Sequence, residues 1–184
     1  MATLSRTHAI LSEIVKLHNG EDPMKTILKI AIFALMTSVF WVTSTVASDN
    51  GYEKQKVVYH INYDNPKAQT GALRNIQNHI NAVGAENLDL KVVLHGNGLA
   101  LLLEPASLEK LGKFKHANAT DQMTARISGL KDQGVRFNVC GNTINGRKVD
   151  YMNDLYDVSE EDIVPSGVAE VAKLQSQGYA YIKP

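Results

Sequence analysis

From Lys56 onward, short β-branched and aromatic runs alternate with segments whose apolar residues recur every three or four positions. That alternation constrains the fold more than anything else in the chain. Each strand must reach the next through a helix, which predicts right-handed βαβ crossovers and a mainly parallel sheet. Residues 56–63 (KVVYHINY) read as the first strand. Asn65-Pro66 then opens a helix, because asparagine can accept from the free amides and proline at the first helical position gives up no bond. Leu73, Ile76, Ile80 and Val83 share its inner face, and Gly84 ends it. Residues 88–95 form the second strand. A second helix spans about 118–133, with Met123, Ile127 and Leu130 inward. The third strand ends at Cys140, and residues 150–162 are an irregular acidic stretch. Residues 162–165 make a fourth strand and Ser166 caps a helix with Val168, Val171 and Leu174 inward. Residues 179–183 make a last strand. The expected architecture is α/β, a small doubly wound sheet of about five strands with helices on both faces, over residues 56–184.

One segment resists this pattern. Leu99, Leu101, Leu102, Leu103, Leu108 and Leu111 are too many for one amphipathic face, and Pro105 interrupts them. Two short helices around a turn are expected, with part of the leucine surface set against a second subunit. A homo-oligomer follows from that expectation.

The amino-terminal part reads as a targeting segment. Residues 24–29 are a short basic start, residues 30–42 an uncharged apolar run, and Thr45-Val46-Ala47 places small residues where a signal peptidase cuts. The run is shorter than the ~20 residues of a membrane span. Residues 24–47 are therefore expected to be a signal peptide cleaved after Ala47, leaving a flexible tail at 48–55 and no stable membrane insertion. The mature protein is expected in a periplasm. Ser48 stands where a lipoprotein would carry its acylated cysteine. Because a signal peptide begins at its own methionine, residues 1–23 read as a non-native extension ahead of Met24. The alternative is a genuine amphipathic leader with Ile10, Ile14 and Leu17 on one face.

Nineteen basic residues balance 19 acidic ones, which gives no basic face for nucleic acid. The single cysteine excludes an internal disulfide. An unpaired thiol in an oxidising compartment is protected, paired between chains, or chemically used. Cys140 closes the strand of residues 135–140, and Gly141-Asn142 turns the backbone where the thiol sits. In open α/β sheets reactive groups gather at the carboxyl ends of the strands. Four such ends are Asn62-Tyr63-Asp64, His95-Gly96-Asn97, Cys140-Gly141-Asn142 and Pro165-Ser166-Gly167. If residues 142–147 form a helical turn, its amides and Arg147 favour the thiolate. His95, ending the neighbouring strand, could donate to the sulfur or serve as a base.

Other candidates read as structural. His60 lies mid-strand and reads as a satisfied core residue. His79 and His116 have no partner at ligand spacing, and the chain has no Cys-x-x-Cys, His-x-His or His-Glu-x-x-His, so no metal site is expected. Gly96-Asn97-Gly98 is not a dinucleotide fingerprint, since Leu101 occupies the third glycine position, and there is no phosphate-binding loop. No cofactor is expected. Asp154, Asp157, Glu160, Glu161 and Asp162 read as a solvated acidic loop.

Three stretches carry a resemblance. Phe137-Asn138-Val139-Cys140-Gly141-Asn142-Thr143, Val164-Pro165-Ser166-Gly167-Val168-Ala169-Glu170 and Gly178-Tyr179-Ala180-Tyr181-Ile182 resemble the DsrE/DsrF-like proteins over roughly residues 56–183. In better-known members a strand-end cysteine accepts sulfane sulfur as a persulfide and passes it on. The resemblance places Cys140 on that cysteine and Arg147 on one of the family arginines. Asn142 and Thr143 stand where the family has alanines, and Gly146 where it has a second arginine. The resemblance implies a trimer or hexamer and a sulfur donor or acceptor protein as partner. Gly141, Asn142, Arg147, His95 and Asn62 would then line the anion around Cys140. Such carrier chemistry leaves enzyme status open. The alternative is a non-catalytic oligomeric module of the same fold, holding a small ligand or a partner peptide at the strand-end rim.

Overall fold

The computed structural model describes residues 51–184; the extension and signal peptide expected over residues 1–47 lie outside the described residues. Five strands, β1 (Gln55–Ile61), β2 (Leu88–Leu94), β3 (Arg136–Cys140), β4 (Ile163–Val164) and β5 (Ala180–Ile182), form one sheet in the order β4-β3-β2-β1-β5. Every pairing is parallel. Among the described residues the helices are α1 (Pro66–Val83), α2 (Asp121–Asp132), α3 (Gly141–Arg147), α4 (Tyr151–Asp154) and α5 (Gly167–Ser176).

The expected helix signals operate as their chemistry requires. The Asn65 side chain accepts from the Ala68 amide at 2.9 Å, Pro66 takes the first helical position, and Gly84 at φ 89° turns the chain out of α1. Ser166 accepts from the Ala169 amide at the start of α5. The acidic stretch is more ordered than its composition suggests. It holds α4, capped by the Asp150 side chain, and a 3-10 turn at Glu160–Asp162 closed by a Ser159–Asp162 capping box.

Two apolar layers flank the sheet. Val57, Tyr59, Ile61, Val92, Leu94, Phe137 and Val139 face α1, α2 and Ile144 of α3 in the larger core. Val58 and Val93 face Val171 and Leu174 of α5, with Tyr179, in the smaller. This division follows from topology. The links β1-to-β2, β2-to-β3 and β3-to-β4 each move one strand along the sheet. The β4-to-β5 link reverses direction across the whole sheet, so a crossover of constant hand places α5 on the opposite face. Chain direction therefore divides between β3, which leads into α3, and β4, which leads into α5. The crevice between two such strand ends is the switch point of an open α/β sheet.

Two expectations change here. The leucine segment does form short 3-10 turns, Gly96–Leu101 and Pro105–Ser107. Most of its leucine surface is used up inside one chain: Leu99, Leu101, Leu102 and Leu103 are 0% exposed and Leu111 is buried, while Leu108 is half-buried against the same core. The segment runs through the larger core rather than across it, bridged by Leu103 to Leu155. On α5, Val168 points outward at 65% exposure, and Glu170 joins Val171 and Leu174 on the buried side. Helical spacing of 3.6 puts residues 167, 170, 171 and 174 on one stripe and residue 168 off it.

Buried polar pairs pin the loops near the strand ends. Gln69, fully buried, donates to the Tyr63 carbonyl at 2.7 Å and accepts from Asn118 at 2.7 Å. Asp154, also fully buried, accepts from Ser107 at 2.7 Å and the Asp150 amide at 2.9 Å, and pairs with Lys110 at 2.6 Å. Those contacts hold its carboxyl below the usual range although burial pushes it up. No helix among the described residues is long and apolar enough to cross a membrane.

Candidate functional site at the switch point

Cys140 is the last residue of β3 and the N-cap residue of α3. Its two roles explain its surroundings. As a strand end it lies beside β4, close to the Pro165-Ser166-Gly167 turn that starts α5. As an N-cap it stands before amides that have no partner inside the helix. Cys140 is buried, 5% exposed as a residue. Burial pushes its pKa up, but the Thr143 hydroxyl and the amides of Gly167, Thr143 and Asn142 outweigh that, and the net direction is down. These groups stop short of a full capping hydrogen bond. Their dipoles nevertheless favour charge on the sulfur.

Thr143 is fixed by a distant element. Its Oγ1 accepts from the Gly96 amide at 2.9 Å, which leaves its hydrogen free to point at the sulfur. Gly167 is fixed by space. A Cβ there would lie 2.8 Å from the His95 Cβ and 3.2 Å from the Cys140 Cβ. Only glycine lets α5 begin this close to both strand ends.

The six residues singled out in the sequence separate into two groups. Cys140 and the Asn142 amide meet at the sulfur. Gly141 supplies closeness instead of a donor, since a Cβ on it would stand 3.2 Å from the Val164 carbonyl oxygen. His95 borders the site through Gly167, but its ring stacks on His60, with centroids 4.8 Å apart and planes at 24°. Arg147 turns away. Its guanidinium donates to the Asn97 side chain at 2.6 Å and the Lys113 carbonyl at 3.1 Å and lies over Phe114 at 4.4 Å. No charged group is among those that shift the Cys140 thiol, so Arg147 braces the loops instead. Asn62 follows β1 and backs onto Gly98, where a Cβ would lie 3.1 Å from its Cα.

The structure adds Thr143, Gly167, His60, Tyr181 and Lys183. His60 is not a satisfied core residue. Its Nδ1 pairs with the Tyr181 hydroxyl at 2.8 Å, whereas its Nε2 is buried without a partner. Burial, then His95, then Lys183 push its pKa down to about 4. Burial and Lys183 lower that of His95 as well. Both rings are thus neutral near pH 7, and the thiol has no imidazolium beside it.

A family model described as the DsrE/DsrF-like family matches residues 55–184. The chain belongs to that family. The match takes in all five strands of this DsrE-family protein and every residue of the site. A search of curated proteins finds no match. Among solved structures, the chain is similar to a protein of unknown function from Methanobacterium thermoautotrophicum. That likeness has 26% identity and a TM-score of 0.55, and covers 71% of this chain and 99% of the other. The expected α/β fold, a mainly parallel sheet of about five strands with helices on both faces, is the fold observed, with five strands all parallel, and it agrees with that likeness.

Proposed function

We propose that this DsrE-family protein handles sulfane sulfur, taking it up on Cys140 as a persulfide and passing it to an acceptor. The observation that carries the reading is the group of donors around the sulfur. A thiol that burial alone would keep protonated is drawn toward thiolate by Thr143 and three amides, and thiolate is the form that attacks. In that step the Cys140 thiolate bonds the outer sulfur of a donor RS–SH. The donor S–S bond breaks, RS⁻ leaves with the electron pair, and Cys140–S–SH remains. Membership of the DsrE family supports a sulfur-relay type of function.

The test is direct. Reduced protein incubated with polysulfide should gain mass in units of one sulfur, removable by dithiothreitol, and Cys140→Ser should gain none. Failure of folded wild type to load sulfur or react with an alkylating agent would overturn the reading. It would leave the alternative of a non-catalytic binding module, which the 5% exposure of Cys140 favours.

Two further parts of the proposal rest on other support. The family resemblance, and no longer the leucine segment, supports a trimer or hexamer; light scattering at micromolar concentration checks it. The basic, apolar and small-residue pattern of residues 24–47 supports export to a periplasm. Mass spectrometry of a periplasmic fraction should find Ser48 as the first residue.

A further inference from the structure

Two side chains of α3 reach the turn that follows β2. Thr143 and Arg147 are four positions apart and so share one face of the helix. Thr143 Oγ1 accepts from the Gly96 amide at 2.9 Å, and the Arg147 guanidinium donates to the Asn97 side-chain oxygen at 2.6 Å. Two successive residues of the turn are thus tied to α3 one helical turn apart. The guanidinium is held on two further sides, by the Lys113 carbonyl at 3.1 Å and by the ring of Phe114 at 4.4 Å, and Phe114 is buried. At its other end the turn is locked against β1, since a Cβ on Gly98 would lie 2.0 Å from the Ile61 carbonyl oxygen. Gly96 itself takes φ 56°, a left-handed conformation that glycine adopts freely. No packing at Gly96 fixes that conformation, because the space a Cβ would take is open. The direction of its amide therefore depends on the bonds made on either side of it.

Resting on the reading of Cys140 as a sulfur acceptor, we propose that Arg147 and Asn97 are positioning residues for its thiol, acting through Gly96 and Thr143. The path is a series of hydrogen bonds. Arg147 fixes Asn97, and with it the turn that aims the Gly96 amide. That amide occupies a lone pair of Thr143 Oγ1, and the hydroxyl hydrogen is left for the sulfur. Without the Gly96 donor the hydroxyl rotates to whatever partner suits it, and the thiolate loses a donor held in place for it. Arg147 reaches the thiol by this route and not by its field. Every group that shifts the sulfur is uncharged, and the Asp64 carboxylate acts on the guanidinium. His95 borders the same glycine as Cys140, but its pKa is lowered, so it is neutral where the thiol ionises. The pH dependence of the thiol's reaction therefore reports on the thiol and its donors.

The experiment is a double-mutant cycle on the reduced, folded protein, read by the pH–rate profile of Cys140 alkylation with iodoacetamide. Asn97→Ala and Arg147→Met should each move the profile to higher pH and slow alkylation at pH 7 about threefold, toward the lower end of what one net hydrogen bond is worth. Asn97 carries no charge, so a shift in its variant is not an effect of field. In a Thr143→Val background neither change should slow alkylation further, because residues that act through a shared partner are not additive. An unmoved profile in Asn97→Ala overturns the proposal. So does an equal slowing by Arg147→Met with and without the Thr143 hydroxyl, which a charge acting straight on the sulfur would give. Should Arg147→Met lose its fold by circular dichroism, Asn97→Ala, a change at an exposed position, decides alone. Loading of wild type from polysulfide, read by intact mass, keeps the two readings apart. Sulfur loaded with an unmoved profile removes the positioning role and spares the carrier. A moved profile without loading removes the carrier and leaves a thiol set by this turn. A wild type that neither loads nor alkylates overturns both.

Discussion

Thr143 has one hydroxyl hydrogen, and its environment decides where that hydrogen goes. The Gly96 amide occupies a lone pair of Oγ1, so the hydrogen is available to the Cys140 sulfur. Thr143→Val keeps the shape and removes both interactions. We expect the thiol pKa to rise and alkylation of Cys140 at pH 7 to slow about three- to tenfold, as for one lost hydrogen bond to a charged group. Thr143→Ser should stay near wild type. A pH–rate profile of alkylation that does not move in the valine variant would remove Thr143 from the account. Gly167→Ala should destabilise by about 1–3 kcal/mol, the range of overpacking, because its methyl must push aside the Cβ atoms of His95 and Cys140; urea melts measure it. His60 gives a sign as well as a site. Its folded pKa is about 4 against an ordinary 6.5, so between those values the unfolded chain binds the proton and the folded one does not. Stability should fall as pH drops from 6.5 toward 4, with His79 and His95, also lowered, adding in the same direction. His60→Gln should flatten part of that fall in urea midpoints. The candidate thiol was legible in the sequence because a strand end, a turn and a lone cysteine coincide at residue 140. Thr143 was visible only as a departure from family alanines, since the amide that orients it lies 47 residues away. His60 misled because a mid-strand position says nothing about whether both ring nitrogens find partners.

At the scale of elements, the segment following β2 is where periodicity failed. A run of leucines suggests surplus apolar surface only if one side of it meets water. Here both sides are enclosed, because the Asn118 amide donates to the Ala100 carbonyl at 2.7 Å and the Ala119 amide to the Leu103 carbonyl at 3.1 Å. The Leu103–Leu155 bridge closes the remaining side. No local pattern reports that residues 118 and 155 return to the same place. Leu102→Asp is expected to unfold the monomer instead of separating subunits, since it puts a charge at a site with 0% exposure and costs more than about 4 kcal/mol. Circular dichroism at low protein concentration tells the two apart. The Asp154 group nearby also loses its contribution in acid, in the same direction as His60. Its carboxyl is held low, so its contribution is complete above the ordinary carboxylate pKa and is lost as pH falls through the lowered value. Asp154→Ala should cost about 2–4 kcal/mol, because the Ser107 hydroxyl and the Asp150 amide lose their acceptor in the interior.

For the molecule as a whole, alternation of strands and helices fixes the class of fold but not the order of strands, which depends on contacts between residues far apart in the chain. β1 and β5 are the first and last strands in sequence, yet they pair, Val57 with Ala180 and Tyr59 with Ile182. That pairing has a consequence for how the protein is made. Val58 and Val93 of the inner strands pack against Val171 and Leu174 of α5 and Tyr179, which are among the last residues a ribosome adds. Until then one side of the central strands stays bare, and the growing polypeptide offers chaperones a greasy handle for nearly its whole length. If the protein is exported, a sheet that cannot close before its final turns have emerged keeps the chain loose enough to thread.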